Sequence, residues 1–66
     1  MKNRLQEIRW EKDWSLTKLS KKSGVPKPTI TLIENGNTNN PRIGTCIRLA
    51  HALGVEVEEI FYLEED

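Results

Sequence analysis

The sequence predicts an all-α domain of five short helices around a central helix-turn-helix. The prediction starts from residues 15–36, SLTKLSKKSGVPKPTITLIENG, where apolar residues recur at helical spacing on both sides of Ser23-Gly24-Val25. Glycine suits the left-handed backbone that such a chain reversal needs. A chain of 66 residues, 36% of them hydrophobic, fits one small folded domain over residues 1–66.

The first helix is predicted over residues 2–12. Leu5 and Ile8 are predicted to face the core, and the charged residues of the other side are predicted to face water: Lys2, Arg4, Glu7, Glu11 and Lys12. Trp14 stands just before the next helix, so we expect its ring in the core as a hydrophobic staple. Trp10 is expected on the flank, partly exposed or in contact with a partner chain.

Helices two and three, predicted over 16–22 and 27–34, form the helix-turn-helix, which spans 15–35. The hydroxyl of Ser15 can cap the first of them. Pro26 and Pro28 fall in or near the first turn of the second, where a missing N–H costs little. The inward apolar residues of this part are predicted to be Val25, Ile30 and Ile33.

After a polar loop over 35–41, a fourth helix is predicted over 43–53, ended by Gly54 as its C-cap. The wide apolar stripe of this helix contains Ile43, Cys46, Ile47, Leu49, Ala50 and Leu53. The loop is either an ordinary solvated connection or a source of uncharged donors for phosphate oxygens.

A fifth helix is predicted over 57–62. The segment 55–63 carries more apolar surface than one short helix can bury, which predicts a two-fold dimer contact. The predicted contact residues are Val57, Ile60, Phe61 and Leu63. The alternative is that the whole set closes the core of a single chain.

Cysteine content and hydropathy exclude several classes. A single cysteine, Cys46, allows neither an internal disulfide nor a cysteine-based zinc site, and it is expected to be a small buried hydrophobe. No apolar run approaches the ~20 residues of a membrane span. We therefore expect a cytoplasmic protein, associated with the nucleoid if it binds DNA, with no metal and no small-molecule cofactor.

Charge is divided between the two halves of the chain, although the net charge is zero. Residues 1–30 carry eight basic and three acidic groups, a balance of +5, and residues 31–66 carry two basic and seven acidic groups, a balance of −5. The half with the helix-turn-helix is therefore the one suited to a polyanion. The alternative is a chance distribution of surface charge.

The order of the motifs now indicates a family. LQEIR, then SxxKLSKKSGV, TIxxIENG, NPRIxTxxRLAxALGV and VEEIF, over about residues 3–62, resemble the Cro-like, lambdoid-repressor helix-turn-helix family of the Xre type. The resemblance implies a five-helix lambda-repressor-like domain. It also implies a bacterial or phage transcriptional regulator, usually a repressor-like homodimer on a two-fold site in double-stranded DNA.

The resemblance also implies roles for individual residues. Arg9 and Glu34 match a structural ion pair between the first helix and the end of the recognition helix. Positions that face base edges or lie beside them are matched by Lys27, Pro28, Thr29, Thr31 and Leu32. Positions near the sugar-phosphate backbone are matched by Asn35, Asn37, Thr38, Asn39 and Arg42.

Two departures from the family pattern affect function. Leu16 stands where the family commonly has a phosphate-binding glutamine, and helix three lacks a Gln, Asn or Arg for bidentate contact with a purine. The alternative function is therefore a protein-interaction or antitoxin-like module on the same scaffold. An enzyme is not expected, because the serines have no nearby histidine–acid relay and the chain has one histidine, His51.

Overall fold

The computed structural model describes residues 2–36 and 41–63, and it contains the five predicted helices. In chain order the elements are β1 (Lys2–Asn3), α1 (Leu5–Glu11), α2 (Leu16–Ser23), α3 (Lys27–Glu34), α4 (Ile43–Leu53), α5 (Val57–Ile60) and β2 (Phe61–Tyr62). The predicted bounds of α3 and α4 are confirmed, and α2 is one residue longer than predicted.

The two ends of the chain pair as a short antiparallel ladder, which corrects the predicted ends of α1 and α5. Lys2 lies opposite Tyr62 and Asn3 opposite Phe61. The N–H of Arg4 then donates to the carbonyl of Ile60 at 2.8 Å. Residues 2–3 and 61–62 are therefore extended rather than helical. A two-residue strand is too short for an alternating pattern to appear in the sequence.

Asn3 sets the start of α1. Its Oδ1 accepts from the N–H of Leu5 at 3.1 Å, and its Nδ2 donates to the carbonyl of Ile33 at 2.9 Å. An asparagine side chain that satisfies a helix-start N–H favours a turn over helix at its own position. The same side chain therefore begins α1 and ties it to the end of α3.

The apolar core takes residues from every helix and from β2. α4 packs against α2 and α5, and α2 packs against α3. The buried apolar residues are Leu5, Ile8, Leu19, Val25, Ile30, Ile33, Cys46, Leu49, Ala50, Leu53, Ile60 and Phe61. The core positions predicted for α1 and α3 are confirmed.

Two members of the stripe predicted for α4 do not reach the core. Ile43 is 70% exposed and Ile47 is 53% exposed. Only one face of α4 meets its neighbours, and the row at 46, 49, 50 and 53 occupies that face. The prediction that Ile43 and Ile47 face the core is therefore wrong.

Cys46 and the two tryptophans lie in three different settings. Cys46 is buried, and burial raises the pKa of its thiol, as expected for a small core residue. Trp10 is exposed, as predicted for a flank residue. Trp14 is half-buried and packs against the edge of the core rather than inside it, which corrects its expected place. The ammonium groups of Lys12 and Lys18 lie 5.8 Å and 5.4 Å from its ring centroid.

The ion pair between Arg9 and Glu34 is present and nearly enclosed. Arg9 donates through Nε to Oε2 at 2.8 Å and through Nη2 to Oε1 at 3.1 Å. Its Nη1 donates to the carbonyl of Trp14 at 2.9 Å. The side chains are 9% and 4% exposed, respectively. One guanidinium therefore joins α1, the connection to α2 and the end of α3.

Arg9→Met is expected to destabilise the domain strongly, because it leaves the Glu34 carboxylate buried without its partner. The loss should be about 3–5 kcal/mol, a large part of the ~3–10 kcal/mol typical of a chain this size. Urea unfolding followed by far-UV circular dichroism measures it.

The matched control is Arg4→Met, which breaks an exposed pair with Glu7 and should change stability far less than Arg9→Met does. The double variant Arg9→Met/Glu34→Leu should recover part of the loss, because no buried charge remains. Equal stability of Arg9→Met and Arg4→Met would contradict the assigned role of the buried pair.

Candidate nucleic-acid interface

The turn between α2 and α3 is fixed by backbone and side-chain hydrogen bonds. Gly24 has φ +76° and donates its N–H to the carbonyl of Ser20 at 2.8 Å. Ser20 Oγ donates to the carbonyl of Val25 at 2.7 Å. Ser23 Oγ donates to the carbonyl of Leu19 at 2.7 Å and accepts from the N–H of Val25 at 3.2 Å. These bonds hold the two helices in one relative orientation.

The sequence predicted the glycine at this turn but not the part played by the two serines. Serines close to turns are common, and a serine hydroxyl can bond to any of several nearby backbone groups. The sequence therefore does not show which of these bonds forms. The N-terminal cap of α2 was predicted, and Ser15 Oγ accepts from the N–H of Lys18 at 3.1 Å.

One side of α3 is buried in the core, and the other side faces solvent. Ile30 is fully buried and Ile33 is 2% exposed, so both anchor the helix from behind. Lys27, Pro28 and Leu32 are exposed. Thr29 and Thr31 are half-buried at the edges of the same helix. The residues predicted to face base edges therefore lie on the outer side of α3 or at its edges.

The first helical residue of α3 is tied to α2 by a side-chain bond that sequence reasoning missed. Lys27 Nζ donates to Thr17 Oγ1 at 3.2 Å, and both residues are exposed. Ten positions separate them, so no short motif identifies the pair. It becomes visible only once the turn has brought the first turns of the two helices together.

Leu16, at the start of α2, is half-buried against the core. A side chain used for packing and lacking polar atoms cannot bind a phosphate, which agrees with the departure seen in the sequence. The backbone N–H groups of the first turn of α2 still lie at a helix N-terminus, where anions are favoured.

The predicted backbone-contact residues are only partly described. Asn35 is exposed at the C-cap of α3, and Arg42 is exposed at the N-cap of α4. Asn37, Thr38 and Asn39 lie outside the described residues. Positions are therefore known for two of the five residues predicted to lie near the sugar-phosphate backbone.

Charge on the exposed surface is unequal. Within residues 2–36 and 41–63, Lys18, Lys21, Lys22 and Lys27 form no ion pair with a described acid. Arg4 is instead engaged by Glu7 at 3.0 Å, a hydrogen bond that raises the pKa of the arginine and lowers the pKa of Glu7. The helix-turn-helix therefore keeps uncompensated positive charge, while α5 begins with exposed acids.

The residues predicted for a dimer contact separate into two groups. Ile60 is fully buried and Phe61 is 7% exposed, so both belong to the core of the single chain, which corrects their expected role. Val57 is half-buried and Leu63 is 79% exposed. Only these last two offer surface to another molecule.

A groove lies between the second half of α4, which includes the exposed Ile47, and residues 55–57. Its volume is about 350 Å³. It is lined by Ile47, Ala50, His51, Val55, Glu56 and Val57. Ile47 and Ala50 belong to the apolar stripe predicted for α4, and Val55 and Val57 belong to the segment 55–63 predicted for a dimer contact.

Two other kinds of site are absent from the described residues. No group of three or more His, Cys, Asp or Glu side chains there is arranged to hold a metal ion. None of the helices in that part of the chain has the length and hydropathy needed to cross a membrane.

Comparisons with known proteins agree with this geometry. A helix-turn-helix family model (HTH_3) matches residues 5–60. The HTH-type transcriptional regulator YgzD of Bacillus subtilis is 32% identical over 66 residues, which are 100% of this chain and 98% of YgzD. An HTH-type transcriptional regulator of Methanocaldococcus jannaschii is 36% identical over 66 residues, with 100% and 98% covered.

Among solved structures, the chain is similar to SinR, the master regulator for biofilm formation, in a crystal structure of its complex with DNA. The TM-score is 0.79 at 34% identity, covering 83% of this chain and 87% of SinR's. The N-terminal DNA-binding domain of SinR from Bacillus subtilis gives a TM-score of 0.78 at 34% identity, with 83% and 80% covered.

Gly24 and Gly44 should respond to alanine in opposite directions. Apart from each glycine's chain neighbours and, for Gly44, the backbone of its own helix, no atom of residues 2–36 and 41–63 lies within 4 Å of a Cβ added at either position, so backbone conformation decides the outcome. Gly24→Ala should cost about 1–2 kcal/mol because an L-residue is strained at φ +76°. Gly44→Ala, in helical backbone, should add roughly 0.5–1 kcal/mol.

Thermal and urea unfolding of both variants measure these changes. Gly24→Asn is the matched control at the turn, because asparagine tolerates the left-handed region better than alanine. If Gly24→Ala were as stable as the parent chain, the turn would not depend on that backbone angle.

Proposed function

The chain belongs to the helix-turn-helix family, whose members compared above are transcriptional regulators, and from this premise we propose that it is a regulator that binds a two-fold DNA site as a homodimer. In the proposed complex, α3 of each protomer enters a major groove. The observation that carries the proposal is the outward face of α3, with Lys27 and Leu32 exposed above the buried Ile30 and Ile33. The protein would act in the cytoplasm, on the nucleoid.

The chemistry of α3 favours readout by a few contacts of different kinds. The ammonium of Lys27 can donate to the O6 and N7 acceptors of guanine. Leu32 and the methyl groups of Thr29 and Thr31 can contact thymine methyls. Since α3 has no side chain for bidentate contact with a purine, sequence-dependent DNA shape would contribute to the preference.

Contacts with phosphates would set the position of α3 in the groove. Arg42 is exposed at the start of α4, Asn35 is exposed at the end of α3, and Lys18 lies in the first turn of α2. Such contacts add affinity for any DNA sequence and make it fall as salt rises, through counterion release. The similar chain of SinR, 34% identical to this one, has been solved in complex with DNA, which supports DNA binding by a domain of this fold.

The proposed homodimer uses the outer face of α4. Ile43 and Ile47 are exposed one turn apart on one side of that helix, next to the groove lined by Val55 and Val57. In a two-fold contact the same patch meets itself, so the protruding isoleucine of one protomer can fill the groove of the other. Ile43 directly follows Arg42, which keeps this contact near the proposed DNA side.

Lys27→Ala and Arg42→Ala should weaken DNA binding in different ways. Lys27→Ala should cost about 1–3 kcal/mol on the preferred site and relax preference at one base position. Arg42→Ala should weaken binding to all sequences evenly and reduce the salt slope by about one. Sites selected from random DNA, followed by titrations across salt concentration, measure both effects.

Unchanged affinity of Lys27→Ala for the selected site would contradict the proposed docking of α3. Failure to select any site, or binding that does not weaken as salt rises, would instead favour the protein-interaction module. The half-buried Leu16, which cannot grip a phosphate, is the observation that favours that second function.

Ile47→Glu should shift the dimer to monomer, because it places two charges in a two-fold contact. Sedimentation at micromolar concentration, with and without DNA, measures the change. Leu63→Glu is the matched control, since Leu63 is more exposed but lies in the segment after β2.

If Leu63→Glu dissociated the dimer while Ile47→Glu did not, the contact would lie in the C-terminal segment first predicted from the sequence. A parent chain that stayed strictly monomeric, both free and on DNA, would remove the homodimer from the proposal.

A further inference from the structure

We infer that Thr17 is a positioning residue for specificity: its hydroxyl holds the ammonium of Lys27 at the start of α3, in place for one base pair. The inference rests on the proposed function, because it assumes that α3 enters the major groove. It concerns a residue to which neither the sequence pattern nor the comparisons gave a role.

The geometry joins two exposed side chains across the turn. Lys27 Nζ donates to Thr17 Oγ1 at 3.2 Å. The two helices that carry them are held by Gly24 and by the hydroxyls of Ser20 and Ser23. A bond between side chains on two such helices restrains the lysine relative to both of them.

Threonine suits the restraining role. Its β-branched side chain has few rotamers in a helix, so the direction of Oγ1 is limited. The oxygen accepts from Lys27, which leaves the hydroxyl proton free to donate to a phosphate oxygen. The nearest lysine on the same helix, Lys18, has its ammonium over the ring of Trp14 and does not share this contact.

The lysine keeps the donors that readout requires. An ammonium has three N–H groups, and one of them is directed to Thr17. The two others suit the O6 and N7 acceptors of guanine, which lie side by side in the major groove. Lysine on a free stem is a mobile point charge that discriminates weakly between acceptors. Restraint before binding reduces the side-chain ordering needed on the DNA.

The test compares Thr17→Val, which keeps the branched shape and loses the hydroxyl, with Thr17→Ser, which keeps the hydroxyl. Binding is measured on the selected duplex and on duplexes changed only at the base pair whose preference Lys27→Ala relaxes. Thr17→Val should reduce discrimination there by about 3- to 10-fold, the factor expected when one lysine side chain must be ordered on binding. Thr17→Ser should retain the discrimination.

Two further measurements separate positioning from a simple phosphate contact. In the Lys27→Ala background, Thr17→Val should have no further effect on discrimination, although it can still lower affinity for every duplex. In the free protein, NMR of the Lys27 ammonium group should show greater mobility in Thr17→Val than in Thr17→Ser, with equal thermal stability.

The inference fails if Thr17→Val leaves the Lys27 ammonium unchanged, or lowers affinity for all duplexes equally in both backgrounds. If Lys27→Ala relaxes one base position while Thr17→Val does not, the inference fails and the proposed docking stands. If the parent chain binds no selected DNA, the proposed function fails and this inference falls with it.

Discussion

Which side of α3 faces outward depends on the contacts of its inner side. Among these contacts, the ion pair between Arg9 and Glu34 has the strictest geometric requirements, because both charges are nearly buried. Two charges that are nearly withdrawn from water are tolerated only when geometry and hydrogen bonding are good, and here three N–H groups of one guanidinium have partners. An apolar pair would fill the same space without fixing direction. The bidentate contact fixes the end of α3 relative to α1, and the third bond adds the backbone at Trp14, just before α2 begins. A single side chain thus relates both helices of the helix-turn-helix to the rest of the domain.

The other bonds around α3 act at its two ends. At the C-terminal end, Asn3 donates to the carbonyl of Ile33, so the strand that pairs with β2 also satisfies an acceptor of the last turn. At the N-terminal end, Ser20 and Ser23 bond to the backbone of the turn. Since α3 has eight residues, it is too short to be stable alone and takes its order from these contacts and its buried isoleucines. A small domain with a limited core gains definition from directional bonds of this kind.

The helices could be predicted because their signals are local. Gly24 and Gly54 end α2 and α4, Ser15 caps α2, and the apolar spacing of α3 and α4 gave their limits. The misses are features that depend on chain segments far apart. The ladder between residues 2–3 and 61–62 needs the two termini to meet, and the bond of Thr17 to Lys27 needs the folded turn. The exposure of Ile43 and Ile47 follows from which side of α4 its neighbours occupy, which hydropathy alone cannot tell. The Arg9–Glu34 pair was predicted from family resemblance rather than from spacing.

The charge distribution bears on how α3, as the proposed recognition helix, would select a site although it has few hydrogen-bonding side chains. Biological selectivity is the ratio of specific to non-specific binding, and the non-specific term comes largely from charge. The chain has zero net charge, its lysines on α2 and α3 form no ion pair with a described acid, and acids begin α5; such a chain can be oriented by DNA without strong attraction to it. When non-specific binding is weak, a lower specific affinity is enough to reach the same ratio of specific to non-specific binding. In the proposed two-fold dimer each base contact would also occur twice, so a modest discrimination per half-site would be squared over the whole site. The proposed contacts of Lys27 and of the methyl groups on α3 would then count twice in the choice of a site.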